Sequence, residues 1–127
     1  MSTSSDPATA DPVLLRSDDQ GIATLTLNRP AQYNALSEEL LDSLQHALDQ
    51  IARDDTLRVV IIAAGGKAFC AGHDLKEMRA SEDPAVHQAL FDKCGNMMIT
   101  INRLPQPVIA QVNGIATAAG CQLVANC

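Results

Sequence analysis

The feature that most constrains the fold is an unbroken apolar run within residues 58–64, which reads Val-Val-Ile-Ile-Ala-Ala from Val59 to Ala64. β-branched residues favour strands, and a strand without polar alternation is typical of a parallel sheet that is covered on both faces. Gly65 and Gly66 end the run. A helix is predicted before it and a strand before that helix, so the β-α-β order implies a right-handed crossover. The sequence therefore predicts an α/β fold around a strand that is buried on both faces.

A β-hairpin is predicted ahead of this unit. Its strands are residues 13–16 and 22–28, which flank a polar tip at residues 17–21. Apolar residues alternate with threonines in the second strand, which indicates that one face is buried. Pro30 ends the hairpin because proline cannot donate a hydrogen bond to the next strand.

The helix between the hairpin and the central strand is predicted to run from Ser37 to about Arg53. Ser37 is a favourable N-cap, and two glutamates follow it in the first turn, where they stabilise the helix dipole. His46 lies near the polar edge and is predicted to be a solvated surface residue. The apolar stripe recurs at spacings of three and four: Leu40, Leu41, Leu44, Ala47, Leu48, Ile51 and Ala52.

Two more helices are predicted after a loop at residues 65–74. The first is a short stretch around residues 75–79, and the second is opened by Asp83 with Pro84 at the first helical position. His87 on the second helix is predicted to be a surface side chain and not a ligand. The apolar stripe of that helix, in which the two methionines are predicted to fill the core, is Val86, Leu90, Cys94, Met97, Met98 and Ile101.

A short strand at residues 108–112 is predicted next, after a break marked by two prolines. Residues 115–127 are almost wholly small and apolar, which predicts a deeply buried turn and the start of a helix. Residues 13–127 are expected to be the N-terminal part of a truncated domain. A disordered leader is expected at residues 1–12.

Charge and cysteine content exclude several classes of protein. The formal net charge is −6, and lysines and arginines are not clustered. This argues against nucleic-acid binding and against a polybasic membrane surface, which both need clustered cations. Cys70, Cys94, Cys121 and Cys127 form no C-x-x-C pair, so we expect reduced thiols and no disulfide or metal site.

The expected location is the cytoplasm. No apolar stretch is long enough to span a bilayer. The first twelve residues contain no Arg or Lys. They therefore lack the charged start of a signal peptide and the Arg-rich pattern of a mitochondrial presequence.

Two loops rich in small residues carry the chemistry. Residues 67–75, which include Gly72, and residues 113–123 each follow a predicted strand and lead into a predicted helix. Small residues leave backbone N–H groups uncovered, so a ligand oxygen can approach closely. On spacing alone, the first loop is as typical of an ordinary β-α connection as of a ligand-binding loop, and tight helix packing would also explain the small residues of the second. Two of them after adjacent parallel strands could direct their amides at one oxygen, as in an oxyanion hole.

Three ordered motifs resemble the crotonase (enoyl-CoA hydratase/isomerase) superfamily. They are Asn-Arg-Pro at residues 28–30 followed by Asn-Ala-Leu at residues 34–36, the loop 67–75 and the loop 113–123. The resemblance covers residues 13–127 and is most marked for the branch called enoyl-CoA hydratase domain-containing protein 3. It implies a ClpP/crotonase-type α/β spiral of ββα units, truncated before the C-terminal helices.

The resemblance also implies a function and a site. An acyl-CoA thioester would bind with its carbonyl between the backbone N–H groups of His73 and Ala119, which would stabilise the enolate. The His73 imidazole would be a bystander, with a role as general base as the less favoured alternative. Coenzyme A would be part of the substrate, with no separate cofactor and no metal. The residues that would line its path are Ala35, Ala68, Cys70, Ala71, Gly72, His73, Asp74, Leu75 and Gly114.

One residue departs from the hydratase pattern. Gln122 stands at the position of the first of two family glutamates, and a carboxamide is not a base near neutral pH. The second would lie beyond Cys127, and Asp74 is expected to cap a helix rather than to substitute for either. The reaction therefore stays open between a hydratase-like lyase, an isomerase and a thioesterase. The alternatives are a non-catalytic acyl-CoA-binding or regulatory protein and an inactive fragment. A homotrimer or hexamer is expected only of a full-length protein.

Overall fold

The computed structural model describes residues 11–127, so the expected leader at residues 1–12 lies outside the described part except for its last two positions. The strands and helices in chain order are β1 (Leu14–Asp19), β2 (Ile22–Leu27), α1 (Glu38–Ala52), β3 (Val59–Ala64), β4 (Ala68–Cys70), α2 (Leu75–Arg79), α3 (Pro84–Arg103), β5 (Val108–Ala110), β6 (Ile115–Ala116) and α4 (Ala119–Asn126). One 3₁₀ turn, Pro30–Gln32, connects β2 to α1.

Two sheets organise these elements. The larger has the order β1-β2-β3-β5, with β1 antiparallel to β2 and the other pairs parallel. The smaller sheet pairs β4 with β6 in parallel. The predicted β-α-β unit is β2-α1-β3. Its helix supplies the crossover that a parallel pair requires.

The hairpin is confirmed, but its tip is shorter than predicted. β1 continues to Asp19, which pairs with Ile22, and only Gln20 and Gly21 remain in the turn. Both turn residues have positive φ, 50° and 82°. Two positive φ values are typical of the tight turn that matches the twist of an antiparallel pair.

The central strand β3 is not buried on both faces within residues 11–127. Val60 and Ile62 are fully buried, whereas Val59 and Ile61 on the opposite face are half-buried. The buried face belongs to one core cluster with the stripes of α1 and α3. An apolar run signals a strand that can be covered on both faces, but it does not say which neighbours cover it.

Helices α1 and α3 follow their predicted stripes closely. The Ser37 hydroxyl accepts a hydrogen bond from Leu40 N at 3.2 Å, and the Asp83 carboxylate accepts one from Ala85 N at 2.9 Å. His46 is exposed, as predicted. Both helices place their stripes in the core, including the two methionines of α3.

Two residues of α3 depart from the prediction. Val86, expected in the buried stripe, is 42% exposed. His87 is half-buried and not a free surface side chain, since its Nε2 lies 2.8 Å from both Met78 O and Ser81 O. This ring nitrogen ties the start of α3 to the end of α2, which sequence periodicity cannot reveal.

The chain after β3 differs from the prediction in its strands and in the exposure of its last residues. β4 lies inside the predicted loop, and β5 is two residues shorter than its prediction. Ile115 is 71% exposed, and only Ala119, Gly120 and Leu123 are buried in α4. Deep burial of residues 115–127 was therefore a wrong expectation. All four thiols are free, two buried at Cys70 and Cys94 and two exposed at Cys121 and Cys127.

Candidate functional site

The two loops predicted to carry the chemistry start side by side. β4 and β6 are parallel neighbours, with Ala68 opposite Ile115 and Cys70 opposite Ala116. Beyond the strands, Thr117 N donates to Cys70 O at 3.1 Å. Because parallel strands end at the same edge of a sheet, the loops that follow them emerge together.

The loops touch at Gly72, which has a φ of +98° and is buried. A Cβ at this position would lie 3.0 Å from Ala118 Cβ, 3.3 Å from Thr117 O and 3.4 Å from Ala119 N. The main chain at Gly72 thus approaches the turn that opens α4 too closely to leave room for a side chain between them. Glycine is required here for its positive φ and for the close approach.

Gly120 brings the first turn of α4 against the other loop. A Cβ on Gly120 would collide with Cys70 O. The absence of a side chain therefore lets the N-terminus of α4 lie directly on the end of β4. This contact and the one at Gly72 fix the helix start beside residues 70–73.

The N–H of His73 points away from Leu36, its partner in an isolated parallel bridge. Leu36 and His73 form an isolated parallel bridge in which Leu36 N donates to Gly72 O at 2.7 Å and Asp74 N donates to Leu36 O at 3.3 Å. In a parallel bridge of this kind, the N–H of the middle residue points to the opposite side. Among residues 11–127, no backbone or side-chain acceptor bonds the His73 N–H.

The Ala119 amide is also without an acceptor in the part of the chain described. Ala119 is the first residue of α4, and the first N–H groups of a helix have no intrahelical partner. Thr117 O accepts from Gly120 N at 2.8 Å, and Ala118 O accepts from Cys121 N and Gln122 N. Two free donors, His73 N–H and Ala119 N–H, therefore lie on segments that are in contact. The positive end of the α4 dipole adds to the attraction of this region for an oxygen anion.

Ala118 has an unusual backbone conformation, φ 53° and ψ −126°. Residues with a Cβ rarely adopt this backbone conformation, and such strain concentrates at functional sites. The conformation turns the chain from β6 into α4 directly before Ala119.

Sequence reasoning missed an ion pair beneath this site. Arg29 Nη2 lies 3.0 Å from Asp74 Oδ2, and Arg29 Nη1 donates to Ala35 O at 2.6 Å. Asp74 Oδ1 accepts from Glu77 N at 3.0 Å, so the predicted capping role of Asp74 is confirmed. Burial alone would raise the pKa of the Asp74 carboxyl, but the bonds from Glu77 N and Arg29 and the charge of Arg29 outweigh it and lower that pKa.

Asn34, the first residue of the Asn-Ala-Leu motif, is fully buried and joins three segments. Its Oδ1 accepts from Arg29 N at 2.8 Å, and its Nδ2 donates to Gly65 O at 2.9 Å and to Ala68 O at 3.0 Å. It has a φ of 55°, which asparagine tolerates better than most residues. In the sequence, the position of this asparagine between Pro30 and the helix cap Ser37 is the one feature that could have indicated its role.

The other predicted site residues fall into two groups. Cys70, Ala71 and Asp74 lie within two residues of Gly72, where the loops meet, and burial raises the pKa of the Cys70 thiol, which argues against a reactive thiolate. Ala68 and Gly114 lie at the opposite end of the strands, where a Cβ on Gly114 would collide with Lys67 O and lie 3.3 Å from Ala68 Cα, so the small size of Gly114 serves packing.

His73 and Gln122 present their side chains differently. The imidazole of His73 is half-buried and meets the Phe91 ring edge-on, with centroids 5.1 Å apart at an angle of 74°. Burial lowers the pKa of His73 and favours the neutral ring. Gln122 is exposed in the first turn of α4. Ala35 is half-buried and its carbonyl oxygen accepts from Arg29, whereas Leu75 is exposed.

Neither a membrane-spanning helix nor a metal cluster is found within residues 11–127. No helix there is long and apolar enough to cross a bilayer. No three side chains among the described histidines, cysteines, aspartates and glutamates gather closely enough to hold a metal ion.

Comparison with known sequences identifies the family. The model of the enoyl-CoA hydratase/isomerase family matches residues 17–127. The mitochondrial enoyl-CoA hydratase domain-containing protein 3 of Xenopus laevis is 47% identical over 116 residues, which are 91% of this chain and 40% of that protein. The 1,2-epoxyphenylacetyl-CoA isomerase of Escherichia coli is 35% identical over 108 residues, 83% of this chain and 41% of that protein. The chain thus spans about two fifths of the length of these curated relatives.

Solved structures agree with this assignment. An enoyl-CoA hydratase from Mycobacterium smegmatis superposes with a TM-score of 0.90 at 57% identity, over 92% of this chain and 46% of that one. Human enoyl-CoA hydratase domain-containing protein 3 gives a TM-score of 0.87 at 43% identity, over 91% and 46%. The expected crotonase fold and the resemblance to this branch are confirmed.

The expected cytoplasmic location is wrong by the same comparison. The relatives from Xenopus laevis, Danio rerio and Homo sapiens are all named as mitochondrial proteins. The inference had relied on the charge of the first twelve residues, which is too indirect a signal. On sequence and structure together, the chain belongs to the enoyl-CoA hydratase/isomerase family.

Proposed function

We propose that this chain binds an acyl-CoA thioester and holds its carbonyl oxygen between the N–H groups of His73 and Ala119. The observation that carries the proposal is the close approach of Gly72 to Ala118 and Ala119, which puts two donors without acceptors on adjacent segments.

The chemistry of a thioester fits two such donors. Negative charge develops on the carbonyl oxygen when the thioester forms an enolate, and fixed N–H groups stabilise that charge without reorganising. Loss of one such donor typically costs about 2.7–4 kcal/mol of transition-state stabilisation. The start of α4 contributes its positive dipole at the same place.

The names of two relatives support an acyl-CoA as the substrate class. The Escherichia coli relatives are a 1,2-epoxyphenylacetyl-CoA isomerase and a 2,3-dehydroadipyl-CoA hydratase. Their acyl groups and reactions differ, whereas the CoA thioester is common to both. We therefore propose the thioester site for this chain and leave the reaction to experiment. Gln122 lacks the basicity that hydration needs at that position.

The test uses an unreactive, saturated acyl-CoA with ¹³C in its thioester carbonyl. We expect the carbonyl resonance to move downfield on binding to the 127-residue chain, as hydrogen bonds polarise it. Two double variants isolate the Ala119 donor. A118G/A119P lacks this N–H, while A118G/A119S keeps it, and the A118G change that both share removes the conflict between proline and the residue before it. Proline is tolerated at the first position of a helix.

The double variant with proline should lose roughly half of the downfield shift, because the His73 donor remains, and bind roughly 3- to 10-fold more weakly, the worth of one hydrogen bond. The serine variant should behave as the parent does. Binding by the parent without any carbonyl shift would reject the oxyanion hole, and no binding at all would reject the acyl-CoA site.

A separate assay addresses catalysis. Hydration of crotonyl-CoA removes the ultraviolet absorbance of its conjugated thioester. Loss of absorbance would identify a hydratase, while binding with carbonyl polarisation and no turnover would favour a non-catalytic binding protein.

A further inference from the structure

We propose that Arg29 positions and polarises the His73 N–H through two consecutive peptide groups. The inference rests on the proposed function, since it concerns the donor that would meet the thioester oxygen. Arg29 touches no reacting atom and is a positioning residue.

The relay begins at the guanidinium. Arg29 Nη1 donates to Ala35 O at 2.6 Å. Ala35 O and Leu36 N–H belong to the same peptide group, and Leu36 N donates to Gly72 O at 2.7 Å. Gly72 O in turn shares its peptide group with His73 N–H. A positive charge thus stands at one end of two aligned peptides, and the free His73 N–H stands at the other.

Such an alignment has two consequences. Hydrogen-bonded peptide groups polarise one another, so a cation at the carbonyl end makes the last N–H a stronger donor. Each peptide is planar, so fixing the Ala35 and Gly72 carbonyls also fixes the direction of the His73 N–H.

The carboxylate of Asp74, the residue that follows His73, holds the guanidinium in place. Arg29 Nη2 lies 3.0 Å from Asp74 Oδ2. The side chains of this pair are only 17% and 14% exposed, compared with 28% and 39% for the surface pair Arg16–Asp18. Little water reaches Arg29, so solvent screens its charge weakly, while the Asp74 carboxylate offsets part of it.

Asp74 divides its two oxygens between separate tasks. Oδ1 accepts from Glu77 N and caps α2, while Oδ2 faces Arg29. Asparagine is also a good N-cap, so Asp74→Asn weakens the hold on Arg29 without removing the cap.

The experiment records backbone ¹H–¹⁵N spectra of the ligand-free chain and of the variants R29M, R29K and D74N. We expect R29M to move the Leu36 and His73 amide signals upfield, because each peptide loses polarisation at its carbonyl, while the Ala119 amide stays in place. R29K keeps the charge and should restore part of the shift. The matched control R16M removes an arginine of an exposed pair and should leave all three amides unchanged.

The same variants are then bound to the ¹³C-labelled acyl-CoA. In R29M the downfield carbonyl shift should shrink by roughly 10–30%, the cooperative contribution expected of one bond in such a chain. An unchanged His73 amide in folded R29M would overturn the relay. Should R29M fail to fold, the neutral variant R29Q decides in its place: an upfield shift of the Leu36 and His73 amides supports the relay, and no shift overturns it. D74N is the control that shows how far these amides respond to the adjacent carboxylate itself.

These results separate the two proposals. The ligand-free spectra test the relay alone, and the thioester carbonyl of the parent tests the oxyanion hole alone. A polarised carbonyl in the parent together with unaltered amides in R29M would retain the proposed function and reject the role of Arg29.

Discussion

Ala118 combines a positive φ of 53° with a ψ of −126°, a conformation that suits glycine. We expect Ala118→Gly to raise the free energy of unfolding by about 1 kcal/mol. The relief of strain is roughly 1–3 kcal/mol, and the greater chain entropy of glycine offsets about 0.5–1 kcal/mol of it. Urea denaturation measures the difference.

Ala89 is the matched control, because it is exposed in the interior of α3. There Ala→Gly should lower the free energy of unfolding by about 0.5–1 kcal/mol, since no strain is relieved. Destabilisation of the same size at both positions would mean that Ala118 stores no strain.

His73 should make the stability depend on pH. Burial lowers its pKa below the ordinary value of 6.5. The unfolded chain therefore binds more protons between the folded pKa and 6.5, and the free energy of unfolding decreases as the pH falls through this window. Below the folded pKa the decrease levels off. Urea midpoints measured from about pH 8 to about pH 5 follow this slope.

The variant H73N removes the titrating group and should flatten that segment of the curve. The exposed His46 provides the control, and H46N should keep the slope of the parent. An identical slope in H73N and the parent would show that another group causes the pH dependence.

At the scale of elements, Asn34 joins the 3₁₀ turn to the segment between β3 and β4 through three hydrogen bonds. Asn34→Gly keeps the left-handed backbone but loses these bonds, so we expect a loss of about 3 kcal/mol in the free energy of unfolding. Asn34→Ala loses the same bonds and adds roughly 1–2 kcal/mol for a Cβ in the left-handed region. Equal urea midpoints for the two variants would contradict a backbone contribution.

The long elements were predictable from the sequence because their own pattern specifies them. α1 and α3 have caps and stripes with helical spacing, and β2 alternates strictly. β4 and β6, with three and two residues, show no periodicity and exist through their mutual pairing. A strand this short is defined by a neighbour that lies more than forty positions away in the sequence.

The site was predictable in part for the same reason. Small residues near Gly72 and Gly120 indicated where backbones approach, and both glycines lie at the contact. The ion pair of Arg29 with Asp74 joins residues 45 positions apart, and no local pattern announces it. Burial of residues 115–127 was inferred from apolar composition, which does not say whether a covering neighbour is present.

At the scale of the whole molecule, the described residues hold both proposed donors but span only 40% of the Xenopus laevis relative. In the proposed function, the thioester carbonyl is held by the loops around His73 and Ala119. Hydration needs in addition a base and an acid, and the family resemblance puts the second carboxylate beyond residue 127. The trimeric or hexameric assembly of a full-length protein stays a prediction for the same reason.

Gln122 allows this division of labour to be tested. We expect Gln122→Glu to leave crotonyl-CoA hydration unchanged in the 127-residue chain, because the second carboxylate of the family pair would lie beyond residue 127.

In a chimera that joins residues 1–127 to the remaining part of the Mycobacterium smegmatis enoyl-CoA hydratase, the same change should raise the rate by roughly a hundredfold if that part supplies the second carboxylate, which is the lower end for general acid–base catalysis. The solved structure makes this junction feasible, since the two chains superpose over 92% of the present one. The decline in ultraviolet absorbance gives the rate, and Gln122→Ala controls for loss of the amide alone. Equal rates for the Glu and Gln chimeras, with acyl-CoA binding intact in both, would show that the side chain at position 122 does not limit hydration.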